Sequence, residues 1–240
     1  MSSPNCGVDM SQEQLQCMLH TILHSADNNE RRGIEKTVVR SLGTPATLTM
    51  LLSIVQNVQG SSSGVRQLAA VLLRKKVLSL WRAIPQESRG ILKGSLLQQL
   101  GCEPVKAVRL ALAHLVARLA RADAQEDEGD GWPELIHAIH AAASDPRMEM
   151  REMAMIVACS VAEVTTQSRA QSDLVVEAVL QGMLDMEDSV QRPAVKAAEA
   201  LLVFLREQKR QWENLVQRLV PQCVALLLRC AAEESKIILV

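Results

Sequence analysis

Three features of this 240-residue sequence predict an all-α fold. Tyrosine is absent, Phe204 is the single phenylalanine, and only three tryptophans stand among abundant Leu, Ala and Val. Strands draw on β-branched and aromatic side chains to pack a pleated surface, so a chain filled with Leu, Ala, Met, Gln, Glu and Arg favours helix. Apolar residues recur at helical period along most of the length, and no stretch alternates as a strand. The interruptions are regular and are built from Gly, Pro, Ser and Asp.

Taken in order, the period predicts helices over 10–25 and 27–41, the second stopped before Gly43-Thr44-Pro45, which opens a third over 45–59. The loop Gly60-Ser61-Ser62-Ser63-Gly64 separates that helix from one over 64–82, and Ile84-Pro85 leads into 86–100. Gly101-Cys102-Glu103-Pro104 precedes 104–122, and Gly129-Asp130-Gly131-Trp132-Pro133 precedes 133–143. Ser144-Asp145-Pro146 starts 147–165; further helices follow over 170–184, over 189–207 after Asp188-Ser189, and over 213–230. Pro133 and Pro146 suit a first helical turn, where the missing amide would have been unpaired.

Several second helices of these pairs open alike. Val65-Arg66-Gln67-Leu68-Ala69, Val108-Arg109 with Ala113, Met150-Arg151 with Ala154, and Val190-Gln191 with Ala194 each set an apolar residue before a polar one, with a small alanine about a turn later. The polar positions are 43, 42 and 40 residues apart, within the period of two-helix HEAT-type units. A weaker match at Arg31-Arg32-Gly33-Ile34 has Glu35 in place of the alanine. One helix pair cannot bury both its own stripe and the faces it shows its neighbours, so pairs stack. The prediction is a right-handed α-α superhelix, a HEAT/armadillo-like solenoid of about five to six helix pairs. It covers 10–240 after a disordered 1–9, and the apolar finish Lys236-Ile237-Ile238-Leu239-Val240 predicts truncation at the C-terminal end.

The run VRQLAAVLLRKKVLSLW over 65–81 is apolar nearly all round a helix, as an inner helix of a stack requires. Val65, Leu68, Ala69, Leu72, Leu73 and Leu80 line one side, and Ala70, Val77 and Trp81 extend it toward the next repeat. From Arg66 to Trp81, then through Arg89-Gly90-Ile91-Leu92-Lys93 and Leu96-Leu97-Gln98-Gln99-Leu100, the sequence resembles the N-terminal signature of the importin-β (karyopherin) superfamily, spread over about 27–100. Trp132-Pro133-Glu134-Leu135-Ile136, Asp145-Pro146 and Arg151-Glu152-Met153-Ala154 resemble the third repeat of the same proteins, most closely the importin four branch.

That resemblance implies a nuclear transport receptor, in the cytoplasm and nucleus and associated with the nuclear pore and envelope. It would hold protein cargo with basic localisation signals on its concave side, bind the Ran GTPase in its GTP form through N-terminal repeats, and meet Phe-Gly nucleoporins on outer helices. The alternative is a HEAT-repeat scaffold that assembles proteins without Ran, and this would not need the signature.

Composition narrows the other classes. With 26 basic and 27 acidic residues the formal charge is −1, which gives no general attraction to nucleic acid or an anionic membrane, and the lack of aromatics removes a stacking platform. No uninterrupted apolar run approaches the roughly 20 residues of a membrane span and the N-terminus has no signal-peptide pattern, so the expectation is a soluble, intracellular chain. Cys6, Cys17, Cys102, Cys159, Cys223 and Cys230 include no CxxC pair and are expected as reduced, mostly buried thiols.

No catalytic fingerprint is present, so no enzyme activity and no cofactor are expected. Cys17, His20 and His24 share one helical face, but the segment lacks the glutamate of HExxH. Those residues, like His137 and His140, are expected to pack or to face solvent, and no metal site is assigned. The acidic stretch Asp123, Glu126, Asp127, Glu128, Asp130 does not follow EF-hand spacing; it reads as a solvated connection, with a contact for basic cargo as the other use. Met148, Met150, Met153, Met155, Met183 and Met186 are expected to fill the core.

The remaining candidates are basic. Arg66, Arg74, Lys75 and Lys76 are the candidate partner-binding residues, and Ala69, Trp81, Arg109 and Arg151 form a structural signature. Arg66 recurs with the repeat, at Arg109 and Arg151, which also gives it a structural reading as the partner of a neighbouring acid. Arg74, Lys75 and Lys76 do not recur.

Overall fold

Side chains at the helix starts carry out what the loop residues suggest. Ser11 and Gln14 form a reciprocal capping box on α1 (Gln12–His24), and Asp27 accepts the Asn29 amide to open α2 (Asn28–Ser41). Thr44 caps α3 (Pro45–Gln56), with Pro45 in the first turn, and Ser62 caps α4 (Ser63–Trp81). The computed structural model describes residues 10–125, 132–165 and 169–238. Beyond α4 lie α5 (Gln86–Cys102), α6 (Lys106–Ala124), α7 (Pro133–Ala143), α8 (Met148–Thr165), α9 (Arg169–Met183), α10 (Asp188–Leu205) and α11 (Lys209–Ile238). Among the described residues there is no strand.

All eleven expected helices are present, with ends displaced by a few residues. Pro133 starts α7, but Pro146 lies in the turn before α8 rather than in its first turn. The last helix begins earlier and runs further than its period indicated, with Pro221 inside it. Residues 1–9 and the acidic positions Glu126, Asp127, Glu128 and Asp130 lie outside the described residues, as does the 239–240 end.

Contacts divide the chain into two compact units, Met1–Leu119 and Ala120–Val240, with the boundary inside α6. In the first unit α1 packs on α2, α3 and α4, and α3 packs along α4. In the second, α7 pairs with α8 and α9 with α10, while α7 also meets α9 and α8 meets α10. Pairing within a hairpin plus stacking on the equivalent helix of the next hairpin is the contact pattern of a helical solenoid.

The inner helices are buried on several sides. On α8, Met150, Met153, Ala154, Met155, Val157, Ala158, Val161 and Ala162 are buried, and each Met or Val side chain is worth about 1.5–3 kcal/mol of transfer. Gly182 on α9 lets three helices converge: a Cβ there would lie 2.3 Å from Met155 Sδ and 3.1 Å from Ala194 Cβ. On α4 the buried set is Val65, Arg66, Ala69, Ala70, Leu73, Val77 and Trp81. Leu68, Leu72 and Leu80, expected in the same stripe, are half-buried.

Two expectations about the core change. Cys17, Cys102 and Cys223 are exposed and Cys159 is half-buried, all as free thiols, so none of these four is a core residue. Leu and Ala occupy the contact stripes, and the cysteines fall off them. Burial, with a smaller opposing effect of Lys196, raises the Cys159 thiol pKa. Met150, Met153, Met155 and Met183 are buried as expected, but Met186 is 85% exposed in the turn before α10.

Candidate functional site

Arg66 leaves the first turn of α4 for the interior. It is 2% exposed, its Nε donates to the Val55 carbonyl at 3.0 Å, and its Nη2 pairs with the Glu103 carboxylate on the turn between α5 and α6. Glu103 also accepts from Gln99 Nε2 at 3.0 Å and from the Val105 amide at 3.0 Å. A buried ion pair holds only when its remaining donors and acceptors are satisfied, and these contacts supply that. Arg109 on α6, also buried, donates through Nη1 to the Glu103 carbonyl at 2.7 Å.

The same turn recurs in the second unit. Arg151 Nη1 donates to the Asp145 carbonyl at 3.0 Å, as Arg109 does to Glu103, and Gln191 Nε2 donates to the Asp185 carbonyl. The acid's side chain accepts the amide two residues on in all three turns: Glu103 from Val105, Asp145 from Arg147 at 2.8 Å, and Asp185 from Glu187 at 3.0 Å. Arg151 also reaches forward to grip Asp185 through Nε at 2.6 Å and Nη2 at 3.1 Å, repeating the reach of Arg66 to Glu103.

The charges respond accordingly. Side-chain and backbone hydrogen bonds from Arg147 lower the Asp145 pKa to about 2. Burial alone would raise Asp185, but the Arg151 hydrogen bond and the Glu187 amide outweigh it, and its pKa is lowered. The Asp185 hydrogen bond raises Arg151 in turn.

Sequence reasoning picked out the arginines and missed these acids. Glu103, Asp145 and Asp185 stand six residues before Arg109, Arg151 and Gln191, an offset the repeat register alone contains. The first repeat departs from it: Gly60 occupies the equivalent position, and its carbonyl accepts from Gln16 on α1 at 2.8 Å.

Grouping Arg66 with partner-facing cations is therefore corrected by its burial. Its guanidinium is spent inside the protein. Lys75 is exposed, Arg74 and Lys76 are half-buried, and none of these three forms an ion pair among the described residues. Helical geometry of about 100° per residue sets Arg74 and Lys76 on opposite flanks of Lys75.

Ala69 is fully buried, and Trp81 is 1% exposed at the end of α4. The Arg89 guanidinium on α5 stands 5.1 Å from the Trp81 ring centroid, and its Nε donates to the Ile84 carbonyl at 2.9 Å. The tryptophan and the arginine quoted from the signature thus fasten α5 onto α4.

On α1, the His20 and His24 rings lie 4.4 Å apart and Cys17 is exposed. His140 Nε2 is 3.5 Å from the Glu177 carboxylate. Among the described residues no three His, Cys, Asp or Glu side chains gather as a metal site, and no single helix is long and apolar enough to cross a membrane.

Comparison with known proteins matches both halves of this arrangement. Residues 34–101 match the family model of the importin-beta N-terminal domain, and residues 104–239 match the model described as IPO5-like, TPR repeats. Mouse importin-4 is 27% identical over 221 residues, covering 89% of this chain and 19% of the mouse protein. The crystal structure of Kap121p bound to Nup53p superposes with a TM-score of 0.75 at 24% identity, covering 94% of this chain and 21% of that one. A structure of Kap95p, whose binding induces the switch loops of RanGDP to adopt the GTP-bound conformation, gives a TM-score of 0.70 at 18% identity over 88% of this chain and 26% of that one. The chain thus spans about a fifth of the length of its importin-4 relative. The family model over 104–239, the N-terminal signature on α4 and α5, and the helical-solenoid fold agree: the chain belongs to the importin-β superfamily, in its importin-4 branch.

Proposed function

We propose that this chain works as the N-terminal portion of a nuclear transport receptor, one that binds Ran in its GTP form, protein cargo with basic localisation signals, and Phe-Gly nucleoporins. The observation that carries the proposal is the signature helix α4, folded against α5 through Trp81 and Arg89 inside the matched importin-beta N-terminal region. Kap121p with Nup53p and Kap95p with RanGDP support those kinds of partner. The work is binding without chemistry: Ran-GTP and cargo oppose one another, so each lowers the affinity of the other by the same factor. Such a receptor operates in cytoplasm and nucleus and at the nuclear pore. Arg74 and Lys75 are the proposed partner contacts on one face of α4 and Lys76 one on a separate flank, with Arg66 holding the frame behind them.

A pull-down with Ran locked to GTP, set against Ran-GDP, tests the proposal. Retention of the GTP form alone is the expected result. Equal capture of both forms, by this chain and by a longer parent, would leave only a scaffold.

A further inference from the structure

Helix α4 carries four cations and no carboxylate in its 19 residues. Arg66 is consumed inside. At about 100° per residue, Val71, Arg74, Lys75, Leu78 and Arg82, the C-cap, fall within an arc of about 100°, and Lys76 lies beyond its edge. Lys75 and Arg82 are exposed; Val71, Arg74 and Leu78 are partly so. Among the described residues none of the three cations is paired with an acid. Of the helices packed beside α4, α3 has no charged residue, α1 offers only Glu13, and α5, fastened through Trp81 and Arg89, brings one acid, Glu87, against two cations, Arg89 and Lys93. In a chain of net charge −1 this is a local excess of positive charge on an aliphatic floor.

We propose that this face of α4 docks an acidic segment of a protein partner, its carboxylates meeting Arg74, Lys75 and Arg82 and its aliphatic side chains meeting Val71 and Leu78. The proposal rests on the partner-facing reading of α4 and names the chemistry of that partner. A basic localisation signal is repelled here, since like charges brought together cost binding energy. A single-stranded nucleic acid finds cations but no ring to stack on, because Trp81 is buried beneath the face. Aliphatic residues between the cations suit a polypeptide.

The test is fluorescence anisotropy with the full chain and three labelled probes: a short Glu/Leu peptide of helical period, its Lys/Leu counterpart, and a single-stranded oligo-dT. The Glu/Leu peptide is expected to bind and the other two not to. Arg74→Glu, Lys75→Glu and Arg82→Glu together are expected to weaken binding by about tenfold or more. Lys76→Glu, off the face, is expected to leave it nearly unchanged. A control with the same change in charge, Arg192→Glu, Lys196→Glu and Arg210→Glu, should bind as the parent does, and glutamine at 74, 75 and 82 provides a milder variant if the reversal unfolds. Circular dichroism verifies folding throughout. Tighter binding of either other probe, unchanged affinity in the folded α4 variants, or equal loss in the control overturns the proposal. Loss of acidic-peptide binding with Ran-GTP preference intact removes only this inference; the converse removes only the receptor reading.

Discussion

Arg66 shows how much one side chain can decide. Its guanidinium and the Glu103 carboxylate are both out of water, so deleting either partner strands a charge in the interior. Arg66→Ala is expected to destabilise the first unit by about 3–5 kcal/mol in urea unfolding, while Arg66→Met with Glu103→Leu together is expected to recover most of that loss. A double variant as unstable as the single one would mean the pair contributes more than mutual neutralisation. Asp145 and Asp185 give the second unit an acid sensitivity of definite sign. Both folded pKa values are lowered, so their contribution is fully present above the ordinary carboxylate value of about 3.9 and is lost as pH falls through the folded values, about 2 for Asp145. Melting temperature is expected to fall on acidification through this window, with a shallower fall in Asp145→Asn, Asp185→Asn.

At the level of the helix, close approach is the governing condition. Gly182 sits where α8, α9 and α10 meet, and Gly182→Val must displace Met155 and press on Ala194; a cost of about 1–3 kcal/mol is expected, read as a lower melting temperature. Trp81→Ala removes the packed ring under Arg89 and is expected to cost about 3–5 kcal/mol. Helix positions were legible in sequence because period and punctuation are local, and α7 appears over the residues expected of it. The ends of α11 were not: the period reads 213–230, through Pro221, whereas the helix runs over Lys209–Ile238 and packs on α9 and α10, contacts that no local pattern contains. Cysteine burial was misread for a related reason, since a residue type states a tendency while the turn of the helix decides its face.

Across the whole molecule, the repeat in Arg66, Arg109, Arg151 and Gln191 was visible as spacing, but its purpose was not. The purpose lies in acids six residues upstream and in carbonyls that no sequence pattern labels. The proposed partner surface was half legible. Counting charges located the basic run on α4, but only burial could withdraw Arg66 from it, and only helical angle could part Lys76 from Lys75 and bring in Arg82. Reversing Arg74, Lys75 and Arg82 is expected to abolish capture of an acidic segment even at low salt, whereas Arg66→Ala should act through stability, with capture recovered at low temperature where the fold persists.

The recurring turn also sets a rule for recombination. Each acid belongs to two modules at once: its carbonyl is held by the helix that follows, and in two of the three turns its carboxylate is held by the helix of the module before. A splice just after a second helix keeps every acid with its own following helix and asks the incoming module for an acid at the right place to receive the guest arginine. A splice within the five residues between the acid and the arginine or glutamine that holds it severs the turn itself. Exchangeable boundaries in this chain therefore lie at the ends of its second helices, and modules cut there keep their turns whole while their facing core surfaces, such as Met155 against Gly182, still have to match.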